Sequence, residues 1–333
     1  MSFASDFNLP VARFQVFYEA QTPVQFPACA GSTWRGAFGY ALKQSVCVTQ
    51  EPSCQACLLQ NACVYSQVFE TPARQASFLG KVDKAPHPYV LHPLNTSGQH
   101  YAVGDHLTIR LTLVGQALQH LAYFIHALQQ LGQAGLGKGE GRVQLLRVEQ
   151  EVGLGTGQWQ TVYAQGGTAQ TLTVAAPSIP QSPPQLRLQW QTPYRGVHRG
   201  QVMNAQQFQF QAWALGVLRR LSLLNACYTG EALALDFKML QQVASVLSIS
   251  AAEFYWYDWA RYSNRQRHKV PMGGLLGECR LPTTGLEPFW PWLWWGQWLH
   301  VGKGAVMGMG EYRLLDAVAD SSQVDEMGVD QQT

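Results

Sequence analysis

Residues 11 to 20, VARFQVFYEA, alternate apolar and polar side chains, the pattern of a strand with one buried face. A turn-rich stretch follows, and then Ser32 or Thr33 is placed to cap a helix. In that helix Trp34, Phe38, Ala41 and Leu42 form an i, i+4, i+7, i+8 stripe. Four cysteines between Cys47 and Cys63 close it. After a polar segment, Pro88-Tyr89-Val90-Leu91 reads as a short strand ahead of Pro93. Residues 106 to 114, HLTIRLTLV, alternate as a strand, and residues 117 to 131, ALQHLAYFIHALQQL, have the helical period. Gly-rich residues 132 to 141 lead into another strand at 142 to 148. This strand, helix, strand order is what a ferredoxin-like half shows.

The strongest punctuation lies at residues 165 to 184, QGGTAQTLTVAAPSIPQSPP, and sets a boundary between domains at 1–175 and 176–316. The second half opens with a strand at 186 to 190. A helix over about 208 to 224 carries Trp213, Val217, Leu221 and Leu224 on one face, and another covers roughly 235 to 247. Strands near 272 to 281 and 309 to 315 flank an aromatic helix at 288 to 299. Two α+β halves of similar plan give a tandem ferredoxin-like architecture with a Cys-rich insertion at 47–63. The polar, acidic residues 317–333 are expected to be a disordered tail.

Composition adds constraints. Hydrophobic residues make up 47% of the 333, ample for a core, while charged residues are only 13% and the formal net charge is +2. Nucleic-acid binding would therefore rest on a local basic stripe, not on overall basicity. No stretch approaches the length of a membrane span, and the N-terminus lacks the basic-then-apolar layout of a secretory signal. The chain reads as cytoplasmic, with no membrane partner. In a reducing compartment, crowded cysteines point to metal instead of disulfides.

Three constellations carry chemistry. Cys47, Cys54, Cys57 and Cys63 offer four thiolates within 17 residues, with the C-x2-C knuckle at their centre. They suit a closed, structural zinc site with no catalytic role; four unligated cysteines in a loop is the alternative. Arg261, Tyr262, Arg265, Arg267, His268 and Lys269 fall within nine residues without an acidic counterbalance. Basic groups beside an aromatic ring suit an RNA backbone with a stacked base, although a short basic run is often only a solvated turn. Finally, Gly302, Gly304, Gly308 and Gly310 surround Lys303 just after His300. Glycines let backbone N–H groups approach a phosphate, and the order is not that of a Walker loop. A smaller Gly-rich element holds Lys138 and Arg142 and is read equally as RNA contact or plain loop. The run from Phe289 to Trp295 is assigned to core, not to base stacking.

Taken in order, Trp34-Arg35-Gly36-Ala37-Phe38-Gly39-Tyr40, the four-Cys segment running on to Phe69-Glu70, and Pro88-Tyr89-Val90-Leu91 form one set of motifs. Arg261-Tyr262-Ser263-Asn264-Arg265-Gln266, Gly273-Gly274-Leu275-Leu276-Gly277 and His300 through Tyr312 form a second. Together they resemble the Cas-six type of CRISPR repeat-RNA processing endoribonuclease, of the RAMP superfamily, in its branch with a Cys-bearing N-terminal half. That resemblance implies tandem ferredoxin-like domains, binding of precursor crRNA, and cleavage without a catalytic metal. The other possible partners are further CRISPR-associated proteins. Many relatives place a catalytic His near the first helix; here no His precedes His87.

Cleavage without metal means attack by a 2′-hydroxyl on the adjacent phosphorus, leaving a 2′,3′-cyclic phosphate and a 5′-hydroxyl. It needs proton transfer and stabilisation of a charged phosphorane. His300 is the first candidate acid or base, with Lys303 and Arg35 as charge stabilisers and Tyr40 as a proton carrier. A structural role for His300, capping the Trp-rich helix, is the alternative reading of that residue. The competing function is a non-catalytic repeat-RNA-binding subunit of an effector or adaptation complex.

Overall fold

The computed structural model describes residues 7–71, 85–94, 98–137, 141–263, 268–282 and 284–316, with 261–263, 268 and 269 described by backbone alone. Lys138, Arg265, Arg267 and the tail at 317–333 lie outside the described residues.

The first half contains β1 (Val11–Ala20), β2 (Val24–Gln25), α1 (Ala30–Val46), β3 (Tyr89–Leu94), β4 (His100–Tyr101) and β5 (His106–Val114). It continues with α2 (Leu121–Ala134), β6 (Val143–Glu151) and β7 (Trp159–Ala164). An antiparallel sheet orders them β3-β5-β1-β6-β7, so β1-α1-β3-β5-α2-β6 is a ferredoxin-like βαββαβ unit with β7 added at the edge. Strand β1 takes the centre because Phe14, Val16, Tyr18 and Ala20 all bury on one face. The helices cover that face through Trp34, Phe38 and Leu42 of α1 and Phe124, Leu128 and Leu131 of α2, all in one core. On the other face Arg147 lies 3.7 Å over the Phe17 ring.

The second half repeats the plan. It comprises β8 (Leu186–Tyr194), β9 (Val197–His198), β10 (Gln201–Val202), α3 (Phe210–Thr229), α4 (Phe237–Val246) and β11 (Ser250–Tyr257). Then come β12 (Ala260–Ser263), β13 (His268–Pro271), β14 (Gly274–Arg280), α5 (Trp290–Leu299) and β15 (Tyr312–Asp316). The sheet order β11-β14-β8-β15, all antiparallel, again gives βαββαβ. Four of the five tryptophans of α5 are buried and Trp298 is half-buried, and apart from Gln297 the helix is apolar on every side, as a core helix should be.

Two expectations are corrected, and one strand is added. Helix α1 begins at Ala30, and neither Ser32 nor Thr33 caps it; Cys29 stands at the N-cap without a side-chain hydrogen bond. Its first turn is closed by tertiary packing instead, since a Cβ on Gly31 would lie 2.0 Å from the Met307 carbonyl oxygen of the second half. The segment 115–120 is a 3₁₀ turn started by Gly115 at φ +56°, so α2 itself opens only at Leu121. Strand β11 falls where the sequence shows only an aromatic segment. Seven of its eight residues are exposed, so no alternation marks it.

The chain between β7 and β8 runs without regular structure, pinned at both ends. Leu172 exchanges hydrogen bonds with the Gln150 side chain, and Pro180 accepts from Trp290 Nε1 at 2.7 Å. Arg13 of β1, paired with Glu151 of β6 at 2.9 Å, reaches across the junction to lie 4.5 Å over the Trp298 ring of α5. Among the described residues no helix is long and apolar enough to cross a membrane.

Candidate active site at the cleft between the halves

The Gly-rich segment leaves α5 through His300, whose φ of +54° is unusual for a residue with a side chain. Gly302, Gly304, Gly308 and Gly310 all have positive φ, and at Gly310 a Cβ would sit 1.8 Å from the Val301 carbonyl oxygen. Glycine is therefore required there by both torsion and space. Much of the loop's hydrogen bonding is internal to the fold. Lys303, Met307, Gly308 and Gly310 donate their N–H groups to Arg195, Gly304, Ala305 and Pro193 carbonyls. Thr192 Oγ1 donates to the Gly308 carbonyl and accepts from Glu311 N. The segment is thus a packed shelf that presents Lys303 to solvent, more than an open ring of N–H donors.

The first half meets this shelf at two places. The start of α1 touches Met307, and the Gly308 backbone lies against His92 of β3, where a Cβ would come within 3.0 Å. Between them is a cleft of about 500 Å³, lined by Cys29, Gly31 and His92 on one side and Thr192, Tyr257 and Gly308 on the other. Trp259 and Met272, which flank the β12–β13 hairpin, pack with Met307 and Met309. The Trp259 carbonyl accepts from Met272 N at 2.9 Å. The hairpin that carries Arg261, Tyr262, His268 and Lys269 therefore springs from the cleft wall, with Tyr262 opposite Lys269 in its register.

Beneath the shelf lies a buried polar cluster that spans the halves. Glu311 Oε1 accepts from Arg110 Nη1 at 3.0 Å, and Oε2 is 3.1 Å from His92 Nδ1. Despite desolvation pulling the other way, His92, His300 and Arg110 hold the Glu311 carboxyl well below the usual range. His300 is 3% exposed, its Nδ1 sits 3.2 Å from the Met309 carbonyl, and its ring meets His92 edge-on at 5.4 Å. Burial, foremost, pushes its pKa down to about 3. His300 is thus enclosed between Met309 and His92, where it pins the loop and does not line the cleft. Sequence reasoning missed His92, Arg110 and Glu311, which no motif spacing marks.

Arg35 does not face the loop in isolation. Its Nη2 lies 3.2 Å from His87 Nε2, and its guanidinium stacks 4.4 Å over Phe69, beside Tyr65 and Tyr89. Tyr40, farther along α1, is 66% exposed. Arg142 is exposed on the rim of a separate hollow with Gln21 and Gln144.

All four cysteines line one cavity of about 350 Å³ together with Tyr65 and Tyr123. Burial raises the Cys54 thiol, and Cys57 Sγ lies 3.3 Å from Thr49 Oγ1. The donor set suits zinc, whereas the spacing is not that of a closed tetrahedron. Among the described residues, the one group of three or more donor atoms within 4.8 Å of one another is His92, His300 and Glu311.

Two domain-family models divide the chain between them. Residues 9–176 match the N-terminal domain AF_1859_N, and residues 188–312 match the CRISPR-associated endoribonuclease Cas6. An uncharacterised protein of Archaeoglobus fulgidus is 28% identical over 110 residues, a match that spans only 36% of that relative's length and 33% of this chain. A Cas6 product complex superposes over 92% of this chain and 99% of its own, at TM-score 0.52 and 16% identity. Thermus thermophilus Cas6 covers the same shares at TM-score 0.50 and 15% identity. A partial Cas6-RT-Cas1–Cas2 complex covers 93% of this chain and 46% of its own, at TM-score 0.51 and 13% identity. The two sheet orders define a tandem ferredoxin-like fold, and the likeness to these Cas6 structures is one of fold. The chain belongs to the family of the AF_1859_N domain, whose model matches residues 9–176, and its residues 188–312 are similar to the CRISPR-associated endoribonuclease Cas6.

Proposed function

We propose that this chain is a CRISPR repeat-RNA endoribonuclease that cuts precursor crRNA by 2′-hydroxyl attack, without a catalytic metal. The observation that carries this reading is the common wall shared by the basic hairpin and the Gly-rich shelf, facing the start of α1 across the cleft. RNA would lie along the hairpin, with backbone phosphates against Arg261, Arg265, Arg267, His268 and Lys269 and a base on Tyr262. The shelf would seat the scissile phosphate near Gly302, Gly304, Gly308 and Gly310, with Lys303 neutralising the phosphorane. Arg35 and Tyr40, on α1, would supply further charge and a proton path. A zinc ion held by Cys47, Cys54, Cys57 and Cys63 would brace the end of α1 and take no part in cleavage. One of the similar structures is named as a complex of Cas6, RT, Cas1 and Cas2, and other CRISPR-associated proteins are proposed as partners here too. The proposed compartment is the cytoplasm.

The burial of His300 favours a second reading, a repeat-RNA-binding subunit that does not cut. One assay separates them: end-labelled cognate repeat RNA in excess chelator, with Lys303→Ala beside the parent. The expected outcome is cleavage to a cyclic-phosphate end by the parent and a loss on the order of a hundredfold in the variant, with binding retained. Tight binding by the parent with no cutting at all would overturn the enzyme.

A further inference from the structure

Beyond RNA cleavage, we propose that His92, His300 and Glu311 form a binding site for a divalent transition ion of the zinc class, which fastens the two halves beneath the Gly-rich shelf. Two imidazoles and one carboxylate are a donor set that borderline divalent ions favour. They come from three separate regular or packed segments: β3, the residue that ends α5, and the residue just before β15. A ring nitrogen of each histidine and a Glu311 oxygen all lie within 4.8 Å of one another.

The detailed geometry favours an ion over a simple ion pair. His92 Nδ1 and Glu311 Oε2 are 3.1 Å apart, yet buried Nδ1 makes no well-directed hydrogen bond. The two atoms stand side by side, as two ligands at about 2.1 Å from one ion do. His300 Nδ1 faces the Met309 carbonyl, which can only accept, so the proton sits on Nδ1 and the lone pair on Nε2. A carbonyl that fixes the tautomer in this way is the usual outer support of a metal-bound imidazole. Arg110 grips Oε1 and leaves Oε2 for the ion. The entry path is the cleft, whose lining includes His92 but neither Glu311 nor His300.

The Cys-lined cavity would compete for the same ions, so the test uses the full chain carrying Cys54→Ser and Cys57→Ser, stripped of metal and titrated with Co²⁺. The expected result is one Co²⁺ per chain, with visible d–d bands and no thiolate charge-transfer band. Zn²⁺ should displace it, Mg²⁺ should not, and the melting temperature should rise with metal. Adding His92→Ala, or separately Glu311→Gln should the first variant fold poorly, is expected to weaken Co²⁺ binding at least about tenfold. His126→Ala, on the exposed face of α2, should change nothing. No Co²⁺ band in the chain carrying Cys54→Ser and Cys57→Ser would overturn the site, as would titrations unchanged by either ligand substitution.

Discussion

The two donor clusters of this protein differ in how they are built. The four cysteines sit on an irregular segment whose backbone bonding is local, Cys57 N to the Cys54 carbonyl and Cys63 N to the Leu59 carbonyl. His92, Glu311 and Arg110 come from both ferredoxin-like halves and are held where β3 packs against the Gly-rich segment. A local cluster can rearrange without disturbing either core. A cluster assembled across the junction cannot move unless the halves move, so it couples to global stability.

The largest effect expected from that difference is in Glu311→Ala. It would strand the nearly buried Arg110 guanidinium and cost about 3–5 kcal/mol, the range for breaking a buried pair. Thermal or urea unfolding in chelator measures it, and a loss as small as that of a surface ion pair would erase the contrast. Next, Cys54→Ser with Cys57→Ser should speed amide exchange within 47–63 while the Glu311 region keeps its protection. Exchange that rises equally at both places would show the clusters to be coupled. The smallest effect is a pH dependence at His120, whose Nε2 bonds Gln67 Oε1 at 3.0 Å and whose pKa is lowered by burial. The unfolded chain takes the proton first, so stability is full above the ordinary value of 6.5 and falls as pH drops below it. His120→Gln should flatten that acid limb, read as urea midpoints at about pH 7 and about pH 5. An unchanged slope would remove His120 from the account.

The same contrast explains what could be read from the sequence. The period-2 runs of β1 and β5 and the stripe of Trp34, Phe38 and Leu42 were legible because burial on one face imposes a local rhythm. The Cys cluster was legible because its members are close in sequence. Strand β11, exposed on both faces, carries no rhythm, and β7 has too few buried positions to show one. His92 and Glu311 stand 219 residues apart in the chain numbering, and only the packing of β3 against the Gly-rich segment brings them to 3.1 Å. His300 drew attention by its place beside the glycines, yet sequence spacing says nothing of depth, and depth decides its chemistry.

The pinned connection between β7 and β8 has a kinetic and thermodynamic consequence. With Leu172 and Val174 packed on the first core and Ile179 and Pro180 held by the second, the span free to bend is only a few residues. A tether that short keeps each half at an effective concentration in at least the millimolar range relative to the other. The halves then stay together even if their intrinsic mutual affinity is modest. The surfaces that face each other across the cleft are thereby relieved of the need to adhere, and can be shaped for a guest instead.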